Sequence, residues 1–308
     1  MMNAVQSGSV RTGEWESLAA RQDARRARKN ALLTSAFGAV GLATVLLVLG
    51  LVAAIAYHGA PTLSWEFLTQ PPREGMSAGG VGPMILGSIL LMVGAFLMAT
   101  PLGVFGGVCL AEYGERSRLM RLMHASVAAL AGTPPIVYGL FGLAIFVLKF
   151  KLGVSLLAGW LTLTLFCVPS IVLTTEAALK TVPAALIDGG LALGLSRWQT
   201  LWRIALPYAL PGILTGIILS LGRAVGEATP VLFTASIYYT TAETTLGWET
   251  LRQPVANLPY YLAEGYRQPG VVPERLIWGA CLTLILLTLL LNAGAILIRS
   301  RTRRRYLW

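Results

Sequence analysis

Long apolar runs broken by short polar connections set the pattern of this chain. A helical span of a bilayer needs about 20 apolar residues. Six runs reach that length, roughly at 31–57, 81–110, 123–148, 153–175, 208–240 and 274–298. The fifth exceeds a minimal span, which predicts a tilt or a break near Pro230. The first is too long for a signal-peptide core and follows a long polar tail, so it reads as a retained span. The expected architecture is all-α and polytopic. A basic tail covers 1–30, six transmembrane helices occupy 31–298, and a second basic tail covers 299–308.

The connections differ in character. The 58–80 and 241–273 loops carry aromatics, among them Trp248, Tyr260, Tyr261 and Tyr266. Such rings fit the membrane–water interface better than a ligand site. The 176–207 connection is long, mostly uncharged and rich in helix formers. Thr181 and Pro183 suit a helix start. Gly194 interrupts, and Ser196 with Gln199 has capping-box spacing. Trp198, Leu201, Trp202 and Ala205 then follow i, i+3, i+4, i+7, the apolar face of a short helix that Pro207 is expected to end. Two short helices joined at a glycine fit a docking element or an amphipathic helix in the headgroup layer.

Composition agrees with the pattern. The 308 residues are 55% hydrophobic and 12% charged, whereas soluble domains carry about 25% charge. Most of the 24 Lys and Arg residues lie in the two tails and in the 111–122 and 176–207 connections. The positive-inside rule therefore places both termini in the cytoplasm. Lys149 and Lys151 in "KFKLG" run against the rule, but a loop this short follows its neighbours. The runs "RRARKN" and "RSRTRRR" flank spans, which suits anionic lipid headgroups rather than nucleic acid.

Little in the chain suggests catalysis. Cys109, Cys167 and Cys281 lie far apart in apolar runs, and His58 and His124 are isolated, so no metal-ligand spacing exists. No P-loop pattern with lysine occurs. The exception to this plainness is "SLGRAVGEATP", where Arg223 and Glu227 stand inside the fifth run. A central charge costs roughly 2.5–3.5 kcal/mol on insertion scales. Drawn as a helix at 100° per residue, Gly216, Ser220, Arg223, Glu227, Pro230 and Thr234 fall within about 40° of one line. Such a stripe faces a bundle interior or a water path. The pair fits either a packing ion pair or an oxyanion site, the guanidinium fork matching a phosphate-like group.

"DGGLALGLSRWQTLWRIALP" resembles the cytoplasmic EAA loop of ABC-importer permeases. The family pattern is Glu-Ala-Ala, three residues, Gly, nine residues, Ile, any residue, Leu-Pro. Here Asp188, Gly189 and Gly190 stand for Glu-Ala-Ala, followed in register by Gly194, Ile204, Leu206 and Pro207. The literal "EAA" at 176–178 falls twelve residues too early. Two glycines in place of alanines cost about 2 kcal/mol in a helix, which predicts a looser first helix or an unusually close approach to its neighbour. "GEATPVLFTA", "GGVGPMILGSILL", "PLGVFGGVCLAEYG" and "GTPPIVYGLFGLAIF" are similar to the phosphate-specific permeases, the first more to the PstA-type subunit than to the PstC-type.

The resemblance implies a non-catalytic permease in the plasma (inner) membrane of a bacterium or archaeon. It would form half of a phosphate path with a PstC-type permease, two copies of a PstB-type ATPase and an extracytoplasmic PstS-type phosphate-binding protein. ATP and magnesium would be used by the ATPase, with no cofactor in this chain. Ser220, Arg223, Glu227 and Thr229 would line the path, and Asp188, Gly189, Gly190, Gly194, Trp198, Leu201, Ile204, Leu206 and Pro207 would couple to the ATPase. Permeases for sulfate or molybdate, a membrane-embedded enzyme, or a structural membrane subunit are the competing classes.

Overall fold

A computed structural model describes residues 3–114, 117–237, 248–267, 270 and 272–306. Two compact units divide the chain, Met1–Tyr57 and His58–Trp308. Helix α1 (Asn3–Gly59) supplies the first, so the basic tail continues helically into the first apolar run.

The second unit begins with α2 (Trp65–Thr69) and a two-stranded antiparallel hairpin, β1 (Pro72–Arg73) and β2 (Ala78–Gly79). The long helix α3 (Gly82–Tyr113) follows, then α4 (Arg118–Ala131), α5 (Pro135–Gly142) and α6 (Leu156–Lys180). Three further pieces, α7 (Ala184–Ala192), α8 (Arg197–Thr200) and α9 (Leu206–Gly226), lead to α10 (Leu258–Arg267) and α11 (Glu274–Tyr306).

Helix α6 is the buried centre, packed between α3 and α9. Small residues of α3 allow the close approach. Gly94 lies against the Trp160 ring, and a side chain at Gly107 would meet Thr175 and, at 2.7 Å, the Val172 carbonyl. Trp160 Nε1 donates to the Leu90 carbonyl at 2.9 Å, which locks the ring over Gly94. Leu91, Ala95, Ala99, Leu163, Cys167 and Ile171 fill the seam. The outward side of α3 shows Phe96, Leu97, Leu102 and Phe105, as lipid contact requires.

Two expectations are corrected and one is met. The third apolar run is not one straight helix: α4 and the helix beginning at Pro135 meet at a 103° bend. The cause is "GTPP". A residue before proline avoids the helical region, and Pro135 suits a first helical turn, where its missing N–H is harmless. Among the described residues five helices are long and apolar enough to cross a membrane, six if this pair counts as one span. The fifth run breaks near Pro230 as expected: it stops being helical at Gly226, and 229–235 form turns; 238–240 lie outside the described residues. Gly226 and the Thr229–Pro230 step explain the stop. Conversely, Pro207 does not end the short helix that begins at Arg197. A π-helical turn, Leu201–Ala205, carries it into α9, with the Leu206 N–H donating to the Leu201 carbonyl. Together they form one helical stretch, Arg197–Gly226.

The segments around α2 and α10 share a second core of Phe67, Met76, Val81, Met84, Leu258, Tyr261 and Leu276. Tyr261 is thus a core residue rather than an interfacial one, whereas Trp65 and Tyr266 are exposed.

Gly94→Val forces a branched side chain into the Trp160 ring. Overpacking of this kind costs about 1–3 kcal/mol. The expected outcome is a lower thermal denaturation midpoint in detergent; an unchanged midpoint would contradict the close packing of α3 on α6.

Candidate functional site

Arg223 sits in the last turn of α9, where its charge complements the helix dipole. Its Nε lies 3.7 Å from Glu227 Oε1, and the side chains are 54% and 26% exposed. At that distance the contact is electrostatic rather than a hydrogen bond. Because the helix ends at Gly226, Glu227 has extended backbone (φ −92°, ψ 110°) and is not one helical turn above Arg223.

The predicted stripe therefore splits. Gly216 and Ser220 are buried in the seam with α6, Gly216 against Thr174. Arg223 leaves that seam, and its guanidinium lies 5.3 Å from the Phe166 ring centroid. Phe166 is in edge-to-face contact with Tyr138, whose hydroxyl donates to the Leu130 carbonyl at 2.7 Å. Sequence reading missed this aromatic support, because no spacing links 138, 166 and 223. Among the described residues the guanidinium makes no hydrogen bond, so its terminal nitrogens are available to an anion.

Beyond α9 the backbone forms a re-entrant turn. Thr229 belongs to it, not to the helix; its carbonyl faces Gly139 of α5. Thr234 accepts from the Ser155 N–H and Gln253 from the Leu156 N–H, each at 2.9 Å, tying the turn to the start of α6. Val255 pairs across to Ala235 and Ile237, and Asn257 Nδ2 donates to Ser236 Oγ at 2.7 Å. Glu227 borders a small cavity that Ser88 and Asn257 also line.

The second group of predicted residues is assembled as a helix–turn–helix. Gly194 has φ +84°, a conformation that glycine adopts without strain. Ser196 and Gln199 form the capping box reciprocally, at 3.2 and 2.9 Å. Gly190 is the close-approach residue: a Cβ there would stand 2.6 Å from Ile204 Cδ1, whereas Gly189 has open space. Of the two outcomes posed for Asp-Gly-Gly, the close approach is the one realised. Asp188 is exposed. Leu201 is buried on the wall of a groove, while Trp198 and Trp202 are exposed and meet edge to face at 5.4 Å. They border an apolar groove of about 660 Å³ between α3 and the Arg197–Gly226 helix, with Leu206 and Pro207 also on its wall.

One cluster was not foreseen. Glu176, set aside as part of a misplaced "EAA", is buried and pairs with Lys180 Nζ at 2.8 Å and His124 Nε2 at 3.3 Å. The Glu–Lys spacing of four was a readable signal; the approach of His124 from α4 was not.

Multiple apolar helices around a buried centre, a charged group beside a re-entrant turn and a glycine-hinged helical element define a membrane permease. The chain belongs to the family of binding-protein-dependent transport system inner membrane components, whose model matches residues 99–306. It is thus a multi-pass inner-membrane protein, and members of the family pair with another permease and a cytoplasmic ATPase. It is 36% identical over 206 residues to the probable ABC transporter permease protein YqgI of Bacillus subtilis, covering 67% of this chain and 70% of that one. It is 34% identical over 237 residues to the phosphate transport system permease protein PstA of Yersinia pestis, covering 77% of each. The PstA of Pasteurella multocida is also 34% identical, over 88% of this chain and 94% of its own. Among solved structures, the inward-facing MetNI methionine ABC transporter matches with a TM-score of 0.53 at 21% identity, over 72% of this chain and 94% of that one.

Gly189 and Gly190 should respond oppositely to substitution. Gly189→Ala meets nothing and should raise the denaturation midpoint slightly, by at most about 1 kcal/mol of helix propensity. Gly190→Leu should lower it by displacing Ile204. Equal effects in a thermal melt would contradict the assigned packing.

Proposed function

We propose that this chain is the PstA-type permease of an ATP-driven importer of inorganic phosphate, in the plasma membrane of a bacterium or archaeon, with both termini cytoplasmic. Its partners are a PstC-type permease, two copies of a PstB-type ATPase and an extracytoplasmic PstS-type phosphate-binding protein. ATP and magnesium act on the ATPase, and this chain catalyses no reaction. The observation that carries the reading is Arg223: a half-exposed guanidinium on a spanning helix, held at 3.7 Å by Glu227 and otherwise without a hydrogen bond among the described residues. A charge so placed requires a polar path or an opposing protein surface. A second permease facing α9 supplies both.

Arg223 offers two parallel charge-assisted hydrogen bonds to a phosphate. Glu227 offsets its charge while the path is empty. When phosphate arrives, the carboxylate accepts a proton-bearing phosphate oxygen, which fully ionised sulfate lacks. Ser220 and Thr229 stand beside this point as substrate-path residues, Ser220 buried in the helix seam and Thr229 in the re-entrant turn.

The 188–207 element docks in a groove of the ATPase, with Asp188 and Trp198 as surface groups, Gly194 as the hinge, and Gly190, Leu201 and Ile204 as the packing beneath. Trp198 and Arg223 lie on one helical stretch, Arg197–Gly226. At 1.5 Å per residue they are roughly 40 Å apart. Leu206 and Pro207 sit where the π-helical turn joins the parts, so a displacement at the ATPase reaches Arg223 along one element.

In the assembled complex, reconstituted in liposomes, Arg223→Gln should abolish phosphate uptake, and Arg223→Lys should reduce it sharply by losing the fork. Glu227→Gln should slow release or admit sulfate. Uptake at matched abundance, with ATPase activity in parallel, is the test; normal phosphate uptake by Arg223→Gln would make the arginine structural only.

Gly194→Val should strain the hinge by about 1–2 kcal/mol and lower the amount of ATPase that co-purifies. Gly194→Asn should be milder, since asparagine tolerates this conformation. Normal ATPase recovery with valine would contradict the docking role.

A further inference from the structure

The His124–Glu176–Lys180 cluster lines a cavity of about 190 Å³ that Arg121 and Gly114 complete. A single water needs only about 15 Å³ of such space. Among the described lining residues two permanent cations, Arg121 and Lys180, face one carboxylate, a positive sum. Glu176 occupies itself with Lys180 and His124, at 2.8 and 3.3 Å. It thereby fixes their positions at the base of the cavity. Arg121 is exposed at the rim, and its guanidinium makes no hydrogen bond or ion pair among the described residues.

The surrounding elements give the cavity a setting. Helix α4 is amphipathic and lies against α6 and α3. It leaves Leu119, Leu122 and Met123 exposed beside Arg118 and Arg121. A basic amphipathic helix with exposed leucines suits the headgroup layer of a membrane, and basic pockets between helices at that level bind phosphate-bearing headgroups. Lys180 is also the last residue of α6, with α7 starting at Ala184. A ligand on Lys180 therefore sits at the root of the coupling element.

We propose that this cavity binds a phosphate group at the cytoplasmic membrane face. Arg121 clamps two of its oxygens and Lys180 donates to a third, while Glu176 limits the net charge so that the ligand can leave. The phosphate is that of an anionic lipid headgroup or free inorganic phosphate; the chemistry is shared. The assignment depends on the reading above only for the name of the face. The site is separate from Arg223, which lies beyond Phe166 toward the other end of α6.

The assembled complex tests it in an Arg223→Gln background, which removes the path contact. One arm measures retained phosphatidylglycerol by native mass spectrometry; the other measures binding of radiolabelled inorganic phosphate in phosphatidylcholine nanodiscs. Arg121→Gln, an exposed change with no partner to lose among the described residues, should weaken one of them about tenfold, as expected for losing a hydrogen bond to a charged group. Glu176→Gln, nearly isosteric, should tighten the same ligand. A fall in lipid retention identifies the headgroup; a fall in phosphate binding identifies the free anion. If Arg121→Gln moves neither affinity, the site does not exist. Failure of phosphate uptake by the wild-type complex would instead overturn the transport reading and leave this result standing.

Discussion

Between helices in a bilayer, burying apolar surface gains little, because lipid is as apolar as leucine. Close contact has to supply the attraction instead. Here that contact is the seam of α3 on α6, where Gly94 receives the Trp160 ring and Gly107 lies against Thr175. The bond from Trp160 Nε1 to the Leu90 carbonyl sets the ring at that depth. Everything with chemical interest then hangs from α6. Phe166 on its flank supports Arg223, Ser155 and Leu156 at its start hold the re-entrant turn, and Glu176 and Lys180 at its end organise the basic cavity.

Irregular backbone at membrane depth survives only when its polar groups are satisfied within the protein. Residues 234–237 meet that condition through hydrogen bonds with Ser155 and Val255 and through the Asn257–Ser236 contact. The result is a rigid surround for Glu227 beside the end of a helix. A continuing helix would have placed Glu227 on the same face as Arg223 at a fixed separation. Ending the helix at Gly226 instead puts the carboxylate on extended backbone, 3.7 Å from the arginine.

The 184–207 segment shows the same economy in its glycines. Gly194 supplies a left-handed turn, and Gly190 lets α7 rest on Thr200 and Ile204. The wider turn over Leu201–Ala205 accommodates Pro207, which has no N–H to give, and so preserves one helix from Trp198 to Arg223. Proline here lies within a continuous helix instead of terminating it.

The sequence by itself determined the class: apolar runs of spanning length, basic connections on alternate sides, a hinge at Gly194 with its Ser196–Gln199 cap, and an arginine out of place in an oily segment. These are local properties, readable because hydrophobic length, capping and left-handed turns depend on near neighbours. Tertiary structure alone decided the rest. The 103° break before Pro135, the helix end at Gly226 and the passage through Pro207 depend on which backbone groups find partners elsewhere. The burial of Leu201 and Tyr261, the support of Arg223 by Phe166 and the meeting of His124 with Glu176 join residues distant in the chain. Periodicity says which face of a helix is apolar; only packing says what that face meets.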